Sequence, residues 1–279
     1  MSTVAVLGAG LLGTGFIENL LAQGHTVRAW NRSASKLDAV AAKGATVAAT
    51  AAEAVSGAER VHLVLAEDSA VDSVLAAARP GLRAGVPVFD HSTNRPDKVA
   101  ERFNRLRAEG VRYLHCPVFM APSNARSGTG TMLVAGPLAD AQEFTPVLST
   151  MTGKVWHCGE QPDRAAVYKL LGNATLIALT GVMGDVLAIG AEAGMDVAAV
   201  NELFANFNPG GMLPVIAQRV ARSEGAEASF TLQMARKDVR LMIESARARR
   251  LSVLPGVAAA MDIAIDDGKG PKDYAIYAR

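Results

Sequence analysis

Over the first 160 residues, short aliphatic and β-branched runs alternate with stretches of helical periodicity; beyond that point only the helical period remains. Apolar runs bounded by turn residues predict buried strands at Thr3–Leu7, Thr26–Trp30, Val61–Ala66, Val86–Asp90 and Val111–Leu114, with further strands at Thr131–Ala135 and Lys154–His157. Helical spacing fills the intervals at Thr14–Gln23, Ala70–Ala78, from Pro96 onward, and at Asp140–Met151. Strands without an exposed polar face, alternating with helices, predict an α/β domain with a doubly wound parallel sheet. From Asp163 to about Ala193 the chain is almost wholly apolar. As one helix it would be on the order of 45 Å long, enough to join two domains. Helical patterns follow at Val197–Phe207, Met212–Arg222, Leu232–Arg249 and Gly256–Asp267. The expected architecture is therefore an N-terminal doubly wound domain, residues 1–162, and an all-helical domain for substrate and dimerisation, residues 163–279, connected by a long interdomain helix.

Between the first predicted strand and helix lies Gly8-Ala-Gly10-Leu11-Leu12-Gly13. A GxGxxG run in this setting marks a Rossmann-type dinucleotide site: Gly8 makes the tight turn, Gly10 admits a pyrophosphate, and Gly13 lets helix pack on strand. The diphosphate then meets the free N–H groups of the helix start, around Leu11 and Leu12. The second strand ends in Asn31-Arg32-Ser33, with no carboxylate before Asp38 to bind ribose hydroxyls. Arg32 is suited to a 2′-phosphate, with Asn31 and Ser33 as hydrogen-bonding neighbours, so the expected cofactor is NADPH. Ligands gather beyond the carboxyl ends of parallel strands, which brings Leu65, Ala66 and Thr93 to the cofactor and Ser92 to the substrate. Thr93 and Asn94 are equally eligible to cap the helix beginning near Pro96.

Charge narrows the partners. Lys and Arg number 28 against 27 Asp and Glu, which gives no electrostatic footprint for nucleic acid or an anionic membrane. The two cysteines, Cys116 and Cys158, form no CxxC and no metal-ligand spacing, so no metal is expected and a reducing, cytoplasmic setting is. The start of the chain reads as a strand rather than a basic leader. The stretch Leu170–Ala191 is long enough to span a bilayer but holds Asn173, Asp185 and several glycines, so a soluble helix is expected.

Lys169 and Asn173 stand four residues apart on one face of the long helix, a cation and an amide directed at one point. They are the candidate catalytic pair. His115–Ala125 is expected as a loop giving a substrate wall of Phe119 and Met120, with Ser123 and Asn124 as polar contacts. Lys237, followed by Asp238 in an amphipathic helix, is a candidate for reaching the cofactor, and a solvated ion pair is the alternative. Cys116 and His91 are expected in structural roles.

The GxGxxG run with Gly24-His25 and Asn31-Arg32, Pro117-Val118, Lys169-Leu-Leu-Gly-Asn173 and Lys237-Asp238 together resemble the β-hydroxyacid dehydrogenases. These include 3-hydroxyisobutyrate dehydrogenases and glyoxylate and succinic semialdehyde reductases, within the superfamily that shares the NAD-binding domain of 6-phosphogluconate dehydrogenase. The resemblance implies that Lys169 acts as proton donor or acceptor, that Asn173 holds the substrate, and that Lys237 lies near the nicotinamide. One feature departs: the family's loop continues after Pro-Val with Ser-Gly-Gly or a close variant, which receives a carboxylate, whereas this chain has Phe119-Met120-Ala121-Pro122. The expected function is hydride transfer from NADPH to the carbonyl of a small aldehyde or keto acid, or the reverse oxidation of a β-hydroxy acid. The alternatives are imine reduction, in the related imine reductases, and a non-catalytic NADPH-binding protein. Because an almost uniformly apolar helix must be covered all round, a homodimer or higher homo-oligomer is expected.

Overall fold

A computed structural model describes all residues, Met1–Arg279, and the chain divides into two compact units, Met1–Asn173 and Ala174–Arg279. In the first unit the elements run β1 (Thr3–Leu7), α1 (Leu11–Ala22), β2 (Thr26–Trp30), α2 (Asp38–Ala41), β3 (Thr46–Val47), α3 (Ala51–Val55), β4 (Arg60–Leu63), α4 (Asp68–Ala78), β5 (Pro87–Asp90), α5 (Pro96–Ala108) and β6 (Arg112–His115). The strands form one sheet in the order β3-β2-β1-β4-β5-β6, all parallel. Strand order reverses between β1 and β4, which opens a crevice at their carboxyl ends. The alternation of β1 supplies both faces. Val4 and Val6 pack with Phe16, Ile17 and Leu20 of α1, and Ala5 and Leu7 pack with Val61, Leu63, Val71 and Leu75 on the other side.

A second, three-stranded sheet follows, from β7 (Val118–Phe119), α6 (Pro122–Ser127), β8 (Thr131–Val134), α7 (Leu138–Leu148) and β9 (Lys154–His157). Its order is β7-β8-β9, with β7 antiparallel and β9 parallel to β8. This corrects the expected loop at 115–125. Pro122 occupies the first turn of a helix, where a missing N–H costs nothing, and Gly128 ends it in the left-handed region at φ 65°.

The helix α8 (Arg164–Glu192) runs unbroken for 29 residues, and its first part, to Asn173, belongs with the first unit. By length and composition alone it could cross a membrane. Leu176, Ile177, Leu179 and Val182 lie exposed along it. The second unit adds α9 (Val197–Asn206), α10 (Leu213–Arg222), α11 (Leu232–Ser245) and α12 (Leu254–Ala264). Leu232, Ala235 and Val239 of α11 meet Ala258, Met261 and Ala264 of α12 at helical spacing, closed by Ile276. Asp185, buried in α8, accepts the backbone N–H groups of Ser252, Val253 and Leu254 at 2.6, 2.9 and 2.8 Å and so caps α12. Burial alone would raise its pKa, but these three donors hold the carboxyl below the ordinary range.

Candidate active site

A cavity of about 910 Å³ opens at the point where strand order reverses. Three glycines shape its edge for three different reasons. Gly8 sits at φ 115°, and a Cβ there would lie 2.1 Å from the Val64 carbonyl oxygen, so the turn admits no other residue. A Cβ on Gly13 would lie 2.0 Å from the Gly8 oxygen, so helix and turn touch through it. Gly10 has ordinary extended backbone, φ −74° and ψ −172°, and a Cβ on it would meet nothing within 4 Å. Neither conformation nor packing requires glycine at position 10. Open space over it, beside the uncapped and acid-free start of α1, fits a pyrophosphate group.

The turn is fixed from β2. Gly8 N–H donates to the Trp30 carbonyl at 2.8 Å, Ala9 N–H to Asn31 Oδ1 at 3.1 Å, and Asn31 Nδ2 to the Ser33 carbonyl at 2.9 Å. The side chain of Asn31 is thus a brace of the glycine turn. Arg32 and Lys36 are exposed at the rim of the same cavity and form no ion pair, and no carboxylate stands at the end of β2. Two free cations beside a hydroxyl-rich turn suit a 2′-phosphate.

The opposite wall comes from the ends of β4 and β5. Ser92 is buried and its Oγ accepts the Leu65 N–H at 3.0 Å, which ties the two strand ends together. Fully buried Asp90 holds that turn: it accepts from Ser92 N–H at 2.9 Å, Asn94 Nδ2 at 2.8 Å and the Tyr113 hydroxyl at 2.7 Å. Arg102, also buried, pairs with Asp68 and Asp72 at 2.9 Å each, and these carboxylates outweigh burial and raise its pKa. Behind the wall, His91 Nδ1 lies 2.7 Å from the Cys116 carbonyl and its Nε2 lies 2.9 Å from His62 Nδ1. That geometry makes both imidazoles neutral donors along one chain. Burial drives the His91 pKa down to about 4 and also lowers His62 and His115.

Thr93 is exposed and joins the cavity to a charged cleft that Leu170 of α8 also lines. Next to Leu170, the Lys169 ammonium donates to the Val118 carbonyl at 2.7 Å and stands 4.6 Å above the centre of the Phe119 ring. It has no carboxylate partner, and burial lowers its pKa from the ordinary lysine value. Gly172 makes this contact possible, since a Cβ there would be 2.4 Å from Phe119 Cζ. Asn173 is half-buried one turn beyond Lys169, and its side-chain amide has no hydrogen-bond partner in the chain. A lysine made less basic, beside an unengaged amide, can exchange a proton with a bound oxygen or nitrogen.

Gly10, Leu11, Leu12, Gly13, Asn31, Arg32, Ser33, Leu65, Ala66, Ser92 and Thr93 all line the one cavity. Gly8 lies in the turn behind it. Several sequence expectations change. Ser92 Oγ accepts the Leu65 N–H and so braces the wall, while its hydroxyl proton has no partner within the chain. Asn124 is occupied: its Oδ1 accepts the Ala121 N–H at 2.9 Å and its Nδ2 donates to Thr129 Oγ1 at 3.0 Å. Neither Thr93 nor Asn94 caps α5, whose N-cap is Arg95. Phe119 is held by α8, while Met120 is half-buried and Ser123 exposed. Lys237 lies on α11 of the second unit, paired with Asp238 at 2.9 Å. Lys36 and Ser69 line the cavity without having been assigned a part in it, and Glu67, which follows Leu65 and Ala66 at the end of β4, lines it with them. For Lys36 the signal was its spacing of four from Arg32. Gly172 could have been noticed only as the small residue between Lys169 and Asn173.

The family model described as the NAD binding domain of 6-phosphogluconate dehydrogenase matches residues 3–159. A 3-hydroxyisobutyrate dehydrogenase of Pseudomonas aeruginosa is 28% identical over 270 residues, covering 93% of this chain and 90% of that protein. The 3-sulfolactaldehyde reductase of Escherichia coli is 30% identical over 204 residues, covering 72% of this chain and 66% of its own. Among solved structures, an imine reductase of Streptomyces aurantiacus superposes with a TM-score of 0.86 at 26% identity, over 99% of this chain and 98% of that one.

Proposed function

The chain belongs to the family of the NAD binding domain of 6-phosphogluconate dehydrogenase, and from that membership we propose that it is an NADPH-dependent reductase of small carbonyl compounds, with Lys169 as general acid and base. Relatives named as dehydrogenases and reductases of small hydroxy and aldehyde compounds support oxidoreductase chemistry. The carrying observation is the Lys169 ammonium, half-buried with no carboxylate and held by a carbonyl oxygen and a ring face. When bound, NADPH supplies the hydride. Lys169 hydrogen-bonds the substrate oxygen and gives up its proton in reduction, or takes one in oxidation; Asn173 holds the substrate, and Thr93 orients it against the cofactor. Arg32 and Lys36 select the 2′-phosphate.

A Lys169→Ala variant should lose about 10²- to 10⁴-fold in turnover while retaining NADPH affinity, which is the usual share of a general acid. An unchanged rate would refute the assignment. The second reading, imine reduction, draws on the likeness to the Streptomyces enzyme and on the changed loop. One NADPH-consumption assay with semialdehydes, ketones and cyclic imines separates the two. Tight NADPH binding without turnover of any of them would favour a non-catalytic binding protein.

For assembly we propose a homodimer through α8, whose exposed Leu176, Ile177 and Leu179 are too large an apolar stripe to leave in water. Sedimentation at micromolar concentration giving only monomer would refute it. Two unpaired cysteines, Cys116 and Cys158, accord with a cytoplasmic setting.

A further inference from the structure

The turn that follows β5 carries one wall of the cavity, and side chains hold it. The His91 N–H completes the sheet on the Leu63 carbonyl, and the Arg95 carbonyl accepts the Val99 N–H of α5. Between these two points the backbone is bonded to side chains. Ser92 N–H donates to Asp90 at 2.9 Å, the Ser92 carbonyl accepts from His115 Nε2 at 3.0 Å, and Arg95 N–H donates to Asp68 at 2.9 Å. Asn94 adds its side-chain amide to Asp90 at 2.8 Å. Thr93, exposed at the centre, is placed by these neighbours.

One arginine joins the two carboxylates. Arg102 of α5 is 1% exposed; its Nη2 donates to Asp68 at 2.9 Å, its fork engages Asp72 at 2.9 and 3.1 Å, and its Nη1 stands 3.9 Å from Asp90. Asp90 is fully buried, and a buried carboxylate stripped of its countercharge is strongly destabilising. A planar guanidinium reaches α4 and the end of β5 together, which the single point of a lysine ammonium does not. The arginine therefore sets the spacing between the turn after β4 and the turn after β5, where the cavity opens.

On the reading of this cavity as a dinucleotide site, the order of the sheet divides it. Arg32 at the end of β2 takes the 2′-phosphate and Gly10 after β1 the diphosphate. The nicotinamide half then extends over β4 and β5, where Ser92 and Thr93 line the cavity. We propose that Arg102 is a positioning residue for the nicotinamide half of the cofactor: through Asp68 and Asp90 it fixes the turn 92–95, and with it the hydroxyls of Ser92 and Thr93.

Two ligands separate this role from one in general stability. NADPH spans the whole cavity, whereas adenosine 2′,5′-bisphosphate lacks the nicotinamide half. Each is titrated calorimetrically into the unaltered protein, Arg102→Lys and Asp68→Ala. Asp68→Ala removes the Arg95 anchor from a side chain that is 20% exposed, leaves Arg102 with Asp72 and Asp90, and carries the test if Arg102→Lys does not fold. Both variants should bind NADPH at least about five-fold more weakly, the worth of one well-placed hydrogen bond, and the bisphosphate within about two-fold of the unaltered protein. Unchanged NADPH affinity, or an equal loss for both ligands, overturns the proposal. A loss in Asp68→Ala with none in a folded Arg102→Lys overturns the part given to Arg102. If the unaltered protein binds neither ligand, the dinucleotide reading fails and the proposal with it. A selective loss in a protein that reduces no carbonyl or imine refutes the catalytic reading and leaves the positioning role supported.

Discussion

Gly10→Ala separates a ligand's demand on the chain from the fold's own. At position 10 the backbone is in a region open to any residue, and the added methyl meets nothing within 4 Å. Gly10 is the N-cap of α1, where glycine is favoured over alanine by about 0.5–1 kcal/mol, and the less flexible unfolded chain offsets about the same amount, so stability should stay about unchanged. Gly13→Ala is the control. Its methyl would stand 2.0 Å from the Gly8 oxygen, far inside contact distance, and 3.4 Å from Val64 Cβ. Backbone must shift, which costs about 1–3 kcal/mol by the usual scale of overpacking. For a domain of this size that is a fall in melting temperature of roughly 2–4 °C per kcal/mol. If a pyrophosphate lies over Gly10, the same methyl occupies its place, and NADPH affinity should drop at least about ten-fold, or 1.4 kcal/mol. Thermal unfolding without ligand and fluorescence titration with NADPH measure both quantities on the same samples. Undiminished affinity in Gly10→Ala, with Gly13→Ala behaving as stated, would refute the placement of the diphosphate.

Three further outcomes follow from the geometry. Arg32→Ala should weaken NADPH by about ten- to a hundred-fold, the worth of a charge-assisted phosphate contact; NADH titrations should hardly change, and an equal loss for both would refute the 2′-phosphate assignment. Buried His91, with its pKa lowered from 6.5 to about 4, stays neutral in the folded state while the unfolded chain takes up a proton. Stability is thus intact above about pH 6.5 and is lost as pH falls toward 4, by about 2 kcal/mol at pH 5 from this residue alone; His62 and His115 act in the same direction. Urea unfolding at pH 5 and pH 7 checks the slope, and Phe or Gln at position 91 should flatten it. Since reduction uses protonated Lys169 and its pKa is lowered by burial, the reduction rate should fall with rising pH below the ordinary lysine range of about 10.4, while the oxidation rate rises over the same interval.

The first sheet was legible because β1, β2, β4, β5 and β6 each carry a short apolar run bounded by turn residues, which marks the strands and their alternation with helices, while their order in the sheet came from the structure. The glycine turn was equally legible, since spacing and setting together name its ligand. Where patterns are short, periodicity failed: β3 has two residues, and the helix α6 begins at a proline in a segment too brief to show a turn's repeat. The face shared by Lys169 and Asn173 followed from their spacing, but not what holds the lysine. Sequence assigned Ser92 and Asn124 to substrate because they are polar and well placed along the chain. Tertiary structure adds that Ser92 Oγ accepts the Leu65 N–H, a partner 27 residues away that spacing could not indicate, and that Asn124 Oδ1 accepts the Ala121 N–H at the start of α6. The chain's own order of residues determined the doubly wound sheet and the dinucleotide turn, and placed Lys169 and Asn173 on one helix face. Only the folded chain decided that Gly10 is free of packing, that Asp185 closes a helix start, and that Phe119, resting on Gly172, is the residue against which the lysine ammonium is held.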